Sequence, residues 1–146
     1  MNVIAFVGPS GTGKSYRSLM IAQENNADGI IDDGLLISHG KVIAGTSAKK
    51  EATRIASVKH ALFLPTKYAN EMKSALKKSG IKKLMILGTS EGMATKIAKR
   101  LEVGEIEKFI HIEDVATSEE MAMANRMRME DGKHVIPVPT FEIQKD

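Results

Sequence analysis

Short apolar runs alternate with amphipathic stretches along the 146-residue chain. The run Val3–Val7 precedes Lys14–Glu24, a stretch with helical spacing that Asn25 and Asn26 can end. Ile30–Ile31 then predict a second strand, and a β-hairpin follows around His39-Gly40. The hairpin segments are Leu35–Ile37 and Val42–Ala44. This alternation predicts an α/β fold with a mainly parallel sheet and a short β-hairpin.

The same alternation continues through the rest of the chain. Glu51–Leu62 predicts a helix with Ala52, Ile55 and Ala56 on one side, and Thr66–Lys78 predicts a helix that Gly80 ends. Further predicted elements are a strand Leu84–Leu87, a helix capped by Ser90, a strand with Phe109, Ile110 and Ile112, a helix from a Thr117–Glu120 capping box to Met129, and a last segment Val135–Pro139. With no repeat or low-complexity linker, residues 1–146 are expected to form a single domain.

Composition narrows the functional classes. The 42% apolar and 27% charged content predicts a folded domain with a solvated surface. The absence of cysteine excludes disulfides and thiolate metal sites and fits the cytoplasm. A net charge of +3 without a basic-aromatic stripe gives no indication of nucleic-acid binding, and no apolar run is long enough for a membrane helix. The four histidines lack the paired spacing of a zinc site.

The chemistry is concentrated directly after the first apolar run, in Gly8-Pro9-Ser10-Gly11-Thr12-Gly13-Lys14-Ser15. This is a complete P-loop, or Walker A, sequence between a predicted strand and a predicted helix. Its glycines let successive backbone amides turn inward toward phosphates, Lys14 adds a cation, and Ser15 offers a hydroxyl to a phosphate-bound magnesium ion. These eight residues and Tyr16 are the expected nucleotide-binding residues, with ATP and Mg²⁺ as the expected ligands.

A magnesium site needs a carboxylate besides Ser15, and two acidic pairs follow predicted strands. Asp32-Asp33 come directly after Ile30–Ile31, whereas Glu113-Asp114 follow the later strand. Asp32-Asp33 is the favoured pair, because one of two adjacent carboxylates can hold metal while the other accepts a proton. The alternative is an Asp-Asp-Gly turn that only ends the strand.

From Val3 to about Ser47 the chain resembles the nucleotide-binding core of the HPr kinase/phosphorylase family. The shared elements are the strand, the Gly8–Ser15 loop, its helix, a strand ending in Asp32-Asp33, and a hairpin closing on Gly45. The resemblance implies that Asp32 is the catalytic acid/base and that Asp33, with Ser15, is linked to the metal. Pro9 replaces the usual acidic residue of that loop and the family's Arg-Gly-Leu-Gly signature is missing, so the acceptor stays open.

The whole chain also looks like the N-terminal ATP-binding part of an uncharacterised bacterial family. Its last residues, Phe141–Asp146, lack an obvious terminal cap, as in a piece of a longer protein.

Other motifs have simpler interpretations. Gly88–Gly92 fits the G-x-S-x-G pattern of a hydrolase elbow, but Ser90 is also a good helix cap. The turn could instead lie beside the nucleotide, because the turns between strands and helices line the carboxyl edge of a parallel sheet. The basic residues Lys49, Lys50, Arg54 and Lys59 are expected to form a solvated face, with contact to a phosphate as the alternative. Arg126 and Arg128 are expected to lie on an exposed, solvated helix face, although they could reach a phosphate.

Two classes of function remain open. The first is a P-loop enzyme, an NTPase or a kinase-like phosphotransferase, in which Lys14 positions phosphate and Asp32 activates water or an acceptor hydroxyl. HPr kinase-like transfer to an unknown acceptor is one form of it. The second is a regulatory module that senses nucleotide without turnover. ATP is the default nucleotide, because the Asn/Thr-Lys-x-Asp motif for guanine is absent. The acceptor could be a protein or a small molecule.

Overall fold

A six-stranded sheet organises residues 1–115, the part of the chain that the computed structural model describes. The strands are β1 Asn2–Val7, β2 Gly29–Asp32, β3 Leu35–Ser38, β4 Lys41–Gly45, β5 Lys83–Gly88 and β6 Ile106–His111. In the order β4-β3-β2-β5-β1-β6, strands β2, β5, β1 and β6 are parallel, and β3 and β4 are added as antiparallel neighbours. The α/β class, the mainly parallel sheet and the hairpin are thereby confirmed. The expected Thr117–Met129 helix, Arg126 and Arg128 within it, and the Val135–Pro139 segment lie outside the described residues.

Helices pack on both faces of this sheet. They are α1 Lys14–Glu24, α2 Arg54–Ala61, α3 Thr66–Ser79 and α4 Glu91–Leu101, and a short 3-10 turn covers Ala48–Lys50. Alternate side chains of β1 point to opposite faces. Val3 and Ala5 join a buried cluster with residues of α3 and α4, whereas Ile4 and Phe6 join one with Ile21 of α1. Burial on both sides explains why the central strands are continuous apolar runs.

The helix predicted over Glu51–Leu62 is shorter and buries a different side. It begins at Arg54, because the hydroxyl of Thr53 accepts the backbone N–H of Ala56 at 3.1 Å and caps the helix there. Ile55 is 70% exposed, whereas His60 is buried. The carboxylate of Glu51 lies outside the helix and contacts His60 Nδ1 at 2.8 Å. Local periodicity was therefore wrong about which residues of this segment face the interior.

The carboxyl ends of the four parallel strands meet at one edge of the sheet. Strand β5 lies between β1 and β2, so the loops after these three strands border a common region. The hairpin adds a fourth segment there: Asp32 pairs with Leu35, and Leu35 pairs with Gly45. This register returns the chain after β4 to the end of β2.

Candidate functional site

The glycine-rich loop Gly8–Ser15 follows β1 at this edge. Gly11 and Gly13 have φ of 79° and 85°, a left-handed backbone that glycine adopts without steric cost. The Thr12 hydroxyl donates to the Pro9 carbonyl at 2.7 Å and closes the turn. Helix α1 begins at Lys14 with no side-chain cap from Gly13. An uncapped helix N-terminus within a glycine-rich turn favours an anion.

The Lys14 side chain folds back over the loop. Its ammonium donates to the carbonyl oxygens of Gly8 and Pro9 at 2.5 and 2.9 Å. Burial lowers the pKa of Lys14, and the negative charge of Asp32 opposes this shift in part. The loop therefore holds a partly desolvated cation close to a carboxylate.

Ser15 and Asp32 are brought into direct contact although 17 residues separate them. The Ser15 hydroxyl donates to Asp32 Oδ2 at 2.6 Å. Asp32 is the last residue of β2, and strand alternation directs its side chain to the α1 face, as it does for Ile30. The pair expected to hold metal was Ser15 with Asp33, whereas the hydrogen bond joins Ser15 to Asp32.

Asp33 lies in a different environment from its neighbour. Its φ is 52°, so the chain leaves the strand conformation at this residue. The Asp33 carboxylate accepts a hydrogen bond from the Ser47 hydroxyl at 3.4 Å, and its carbonyl accepts the N–H of Ala48 at 2.9 Å. Burial raises the pKa of Asp33, and the nearby positive charge of Lys49 opposes this in part. The two carboxylates thus have different hydrogen-bond partners, although the negative charge of Asp32 also contributes to the raised pKa of Asp33.

A cleft of about 370 Å³ opens between these groups. This volume is within the range of small-molecule sites, about 300–1,000 Å³. Of the residues predicted from the sequence, those lining it are Ser10, Gly11, Gly13, Lys14, Ser15, Tyr16, Asp32 and Asp33. Gly8, Pro9 and Thr12 shape the loop without lining the cleft, and the alternative acidic pair Glu113-Asp114 is not part of the lining.

Five further residues line the cleft: Lys49, Leu87, Gly88, Thr89 and Met93. Gly88 and Thr89 belong to the turn for which a place beside the nucleotide was one interpretation, whereas Lys49 was expected mainly on a solvated face and Leu87 and Met93 were not selected as site residues. The predicted hairpin could have indicated that Lys49 lies near the end of β2, because a hairpin returns the chain to the strand from which it left. The G-x-S-x-G segment supplies Thr89, while the Ser90 hydroxyl accepts the N–H of Met93 at 3.1 Å and caps α4. The helix-cap interpretation of Ser90 is confirmed.

Within residues 1–115, no group of three or more His, Cys, Asp or Glu side chains is arranged to hold a metal ion. None of the helices in that range combines the length and the apolar content that crossing a bilayer requires. No family model matches the chain, and no curated protein or solved structure matches it either.

Proposed function

We propose that this chain is a P-loop protein of the three-layer α/β/α type that binds Mg-ATP and hydrolyses it or transfers its terminal phosphoryl group. The observation that carries the proposal is the 2.6 Å hydrogen bond between Ser15, in the glycine-rich loop, and Asp32, at the end of β2. A loop hydroxyl and a strand-end carboxylate are the pair that holds magnesium in P-loop proteins.

The phosphates would be held by the loop and the start of α1. Backbone amides of the loop and the positive end of the helix dipole favour an anion without reorganisation. The ammonium of Lys14 now donates to two neutral carbonyls, which are weaker acceptors than a charged phosphate oxygen. A phosphate would also offset the desolvation that lowers the pKa of Lys14.

The residues present fit a magnesium ion bound with a nucleotide. Magnesium keeps several waters and takes few protein oxygens when phosphates supply the rest, so Ser15 and Asp32 are a sufficient protein set. The ion, when bound, neutralises charge on the phosphates. Asp33, which is not hydrogen-bonded to Ser15, is then the proton acceptor for water or an acceptor hydroxyl. This exchanges the roles that the family resemblance implied for the two carboxylates.

A nucleotide-sensing module without turnover is the second candidate. It is favoured by the two hydrogen bonds that join Asp33 to Ser47 and Ala48. A ligand that displaces Asp33 would move the segment after the hairpin, which is the kind of order change that switch proteins use. HPr kinase-like transfer to an unidentified protein or small molecule remains the alternative within the enzyme class.

Phosphate release separates these possibilities. We expect wild-type protein to release phosphate from Mg-ATP, and Asp33→Asn to keep ATP binding while losing turnover by about a hundredfold, the usual effect of removing a general base.

The matched control is Glu71→Gln, which removes an exposed carboxylate on α3. Equal turnover in Asp33→Asn and Glu71→Gln would contradict the role of Asp33. ATP binding without phosphate release in wild-type protein would favour the sensor.

A further inference from the structure

A second lysine lines the cleft from a different part of the fold. Lys49 lies in the 3-10 turn Ala48–Lys50 that follows the hairpin, whereas Lys14 comes from the loop after β1. The sequence places Lys49 directly before Lys50 and gives no reason to separate the two lysines. The structure does separate them, because Lys49 lines the cleft and the adjacent Lys50 does not.

The backbone that carries Lys49 is fixed to the candidate site. Ser47 Oγ accepts the N–H of Lys49 at 3.2 Å and donates to the Asp33 carboxylate at 3.4 Å. Ala48 is fully buried, and its N–H donates to the Asp33 carbonyl at 2.9 Å. The base of the Lys49 side chain is therefore held beside the residue proposed to accept a proton.

The same segment is also contacted by a buried polar side chain, that of His60. His60 Nε2 lies 3.2 Å from the Thr46 hydroxyl, and His60 Nδ1 lies 2.8 Å from a Glu51 carboxylate oxygen. The imidazole also stacks on the Tyr68 ring at a centroid distance of 3.9 Å. A buried side chain that makes polar contacts through both ring nitrogens restricts the segment to one position.

In contrast to its backbone, the Lys49 ammonium makes no hydrogen bond or ion pair with residues 1–115. Its charge influences Asp33, whose pKa it lowers against the effect of burial. A cation on a flexible four-carbon stem, anchored at the rim of an anion-binding cleft, can reach a ligand without distorting the fold.

From these contacts we infer that Lys49 binds the terminal phosphate of the nucleoside triphosphate and stabilises the charge that it carries during transfer. The inference rests on the proposed function. Magnesium and Lys14 leave the terminal phosphate only partly neutralised, and an additional cation at this group is a recurring requirement of phosphoryl transfer. Lys49 thereby distinguishes a triphosphate from a diphosphate, whereas Lys14 contributes to both.

The test compares the affinities of Lys49→Met and Lys50→Met for ATP and for ADP, measured by calorimetry with magnesium present. Loss of one charged contact corresponds to about tenfold or more in affinity. We expect Lys49→Met to weaken ATP binding by at least that factor and ADP binding by less than about twofold, while Lys50→Met matches wild-type protein for both nucleotides. Lys49→Arg, which keeps the charge, should recover most of the ATP affinity.

Two outcomes would overturn the inference while leaving the proposed function in place. One is ATP binding by Lys49→Met that equals that of Lys50→Met. The other is an equal loss of ATP and ADP affinity together with a lower unfolding temperature, which would show a structural role. Failure of wild-type protein to bind either nucleotide would instead overturn the proposed function, and this inference with it.

Discussion

Replacing Lys14 by alanine is expected to weaken Mg-ATP binding by about a hundredfold. The ammonium of Lys14 lies at the centre of the glycine-rich loop, and charge-assisted contacts to phosphate are each worth about 1.5–3 kcal/mol. The fold should tolerate the change, because burial of this cation already disfavours its charged form. Calorimetric titration with ATP and thermal unfolding of the ligand-free protein measure the two effects separately.

Lys96→Ala is the matched control for this experiment. Lys96 is an exposed lysine on α4 that does not line the cleft, so its removal changes net charge by the same amount. We expect Lys96→Ala to bind ATP as wild-type protein does. Equal affinities in Lys14→Ala and Lys96→Ala would show that the ammonium of Lys14 does not contact the nucleotide.

Gly34→Ala is expected to lower stability by about 3 kcal/mol, or roughly 10 °C in unfolding temperature for a domain of this size. Gly34 has a φ of 89°, and a Cβ placed there would lie 2.4 Å from the backbone oxygen of Thr46 and 3.1 Å from His60 Nε2. The nearest obstacle is backbone, so no side-chain rotation can relieve it. The clash would also push the segment that carries Lys49 away from Asp33.

Gly40→Ala separates the clash from the backbone strain. Gly40 has a φ of 76°, and an added Cβ would meet nothing within 4 Å. Gly40→Ala should lower the free energy of unfolding by only about 1 kcal/mol, because alanine is strained in the left-handed conformation but meets no clash there. Urea unfolding of the two variants gives the comparison, and equal losses would contradict the close packing of Gly34 against Thr46 and His60.

Local signals were sufficient for the elements that precede the hairpin. The bounds of α1, Lys14–Glu24, follow directly from the glycine-rich loop before it and from the asparagines after it. The burial of the central strands likewise follows from their apolar composition. The strand order could not be predicted in this way, because the insertion of β5 between β1 and β2 depends on contacts far apart in the sequence.

The details of the site depended on such distant contacts. Sequence reasoning selected the Asp32-Asp33 pair, but which carboxylate meets Ser15 is decided by the strand conformation of Asp32 and the φ of 52° at Asp33. Lys49 is exposed, as expected, but its place at the cleft was not singled out, because that place depends on the hairpin register and on the packing of His60. The apolar pattern of the helix did not indicate that His60 is buried, because histidine is polar. Its partner Glu51 lies outside the helix, so helical spacing did not indicate this contact either.

The magnesium dependence of ATP binding tests the central claim most directly. Wild-type protein and Asp32→Asn are titrated with ATP by calorimetry, each with and without magnesium. Because Ser15 and Asp32 are proposed to hold the ion, magnesium should raise the ATP affinity of wild-type protein by about tenfold or more and have little effect on Asp32→Asn. The same magnesium effect in both proteins, or none in wild-type protein, would contradict a magnesium-nucleotide site at Ser15 and Asp32.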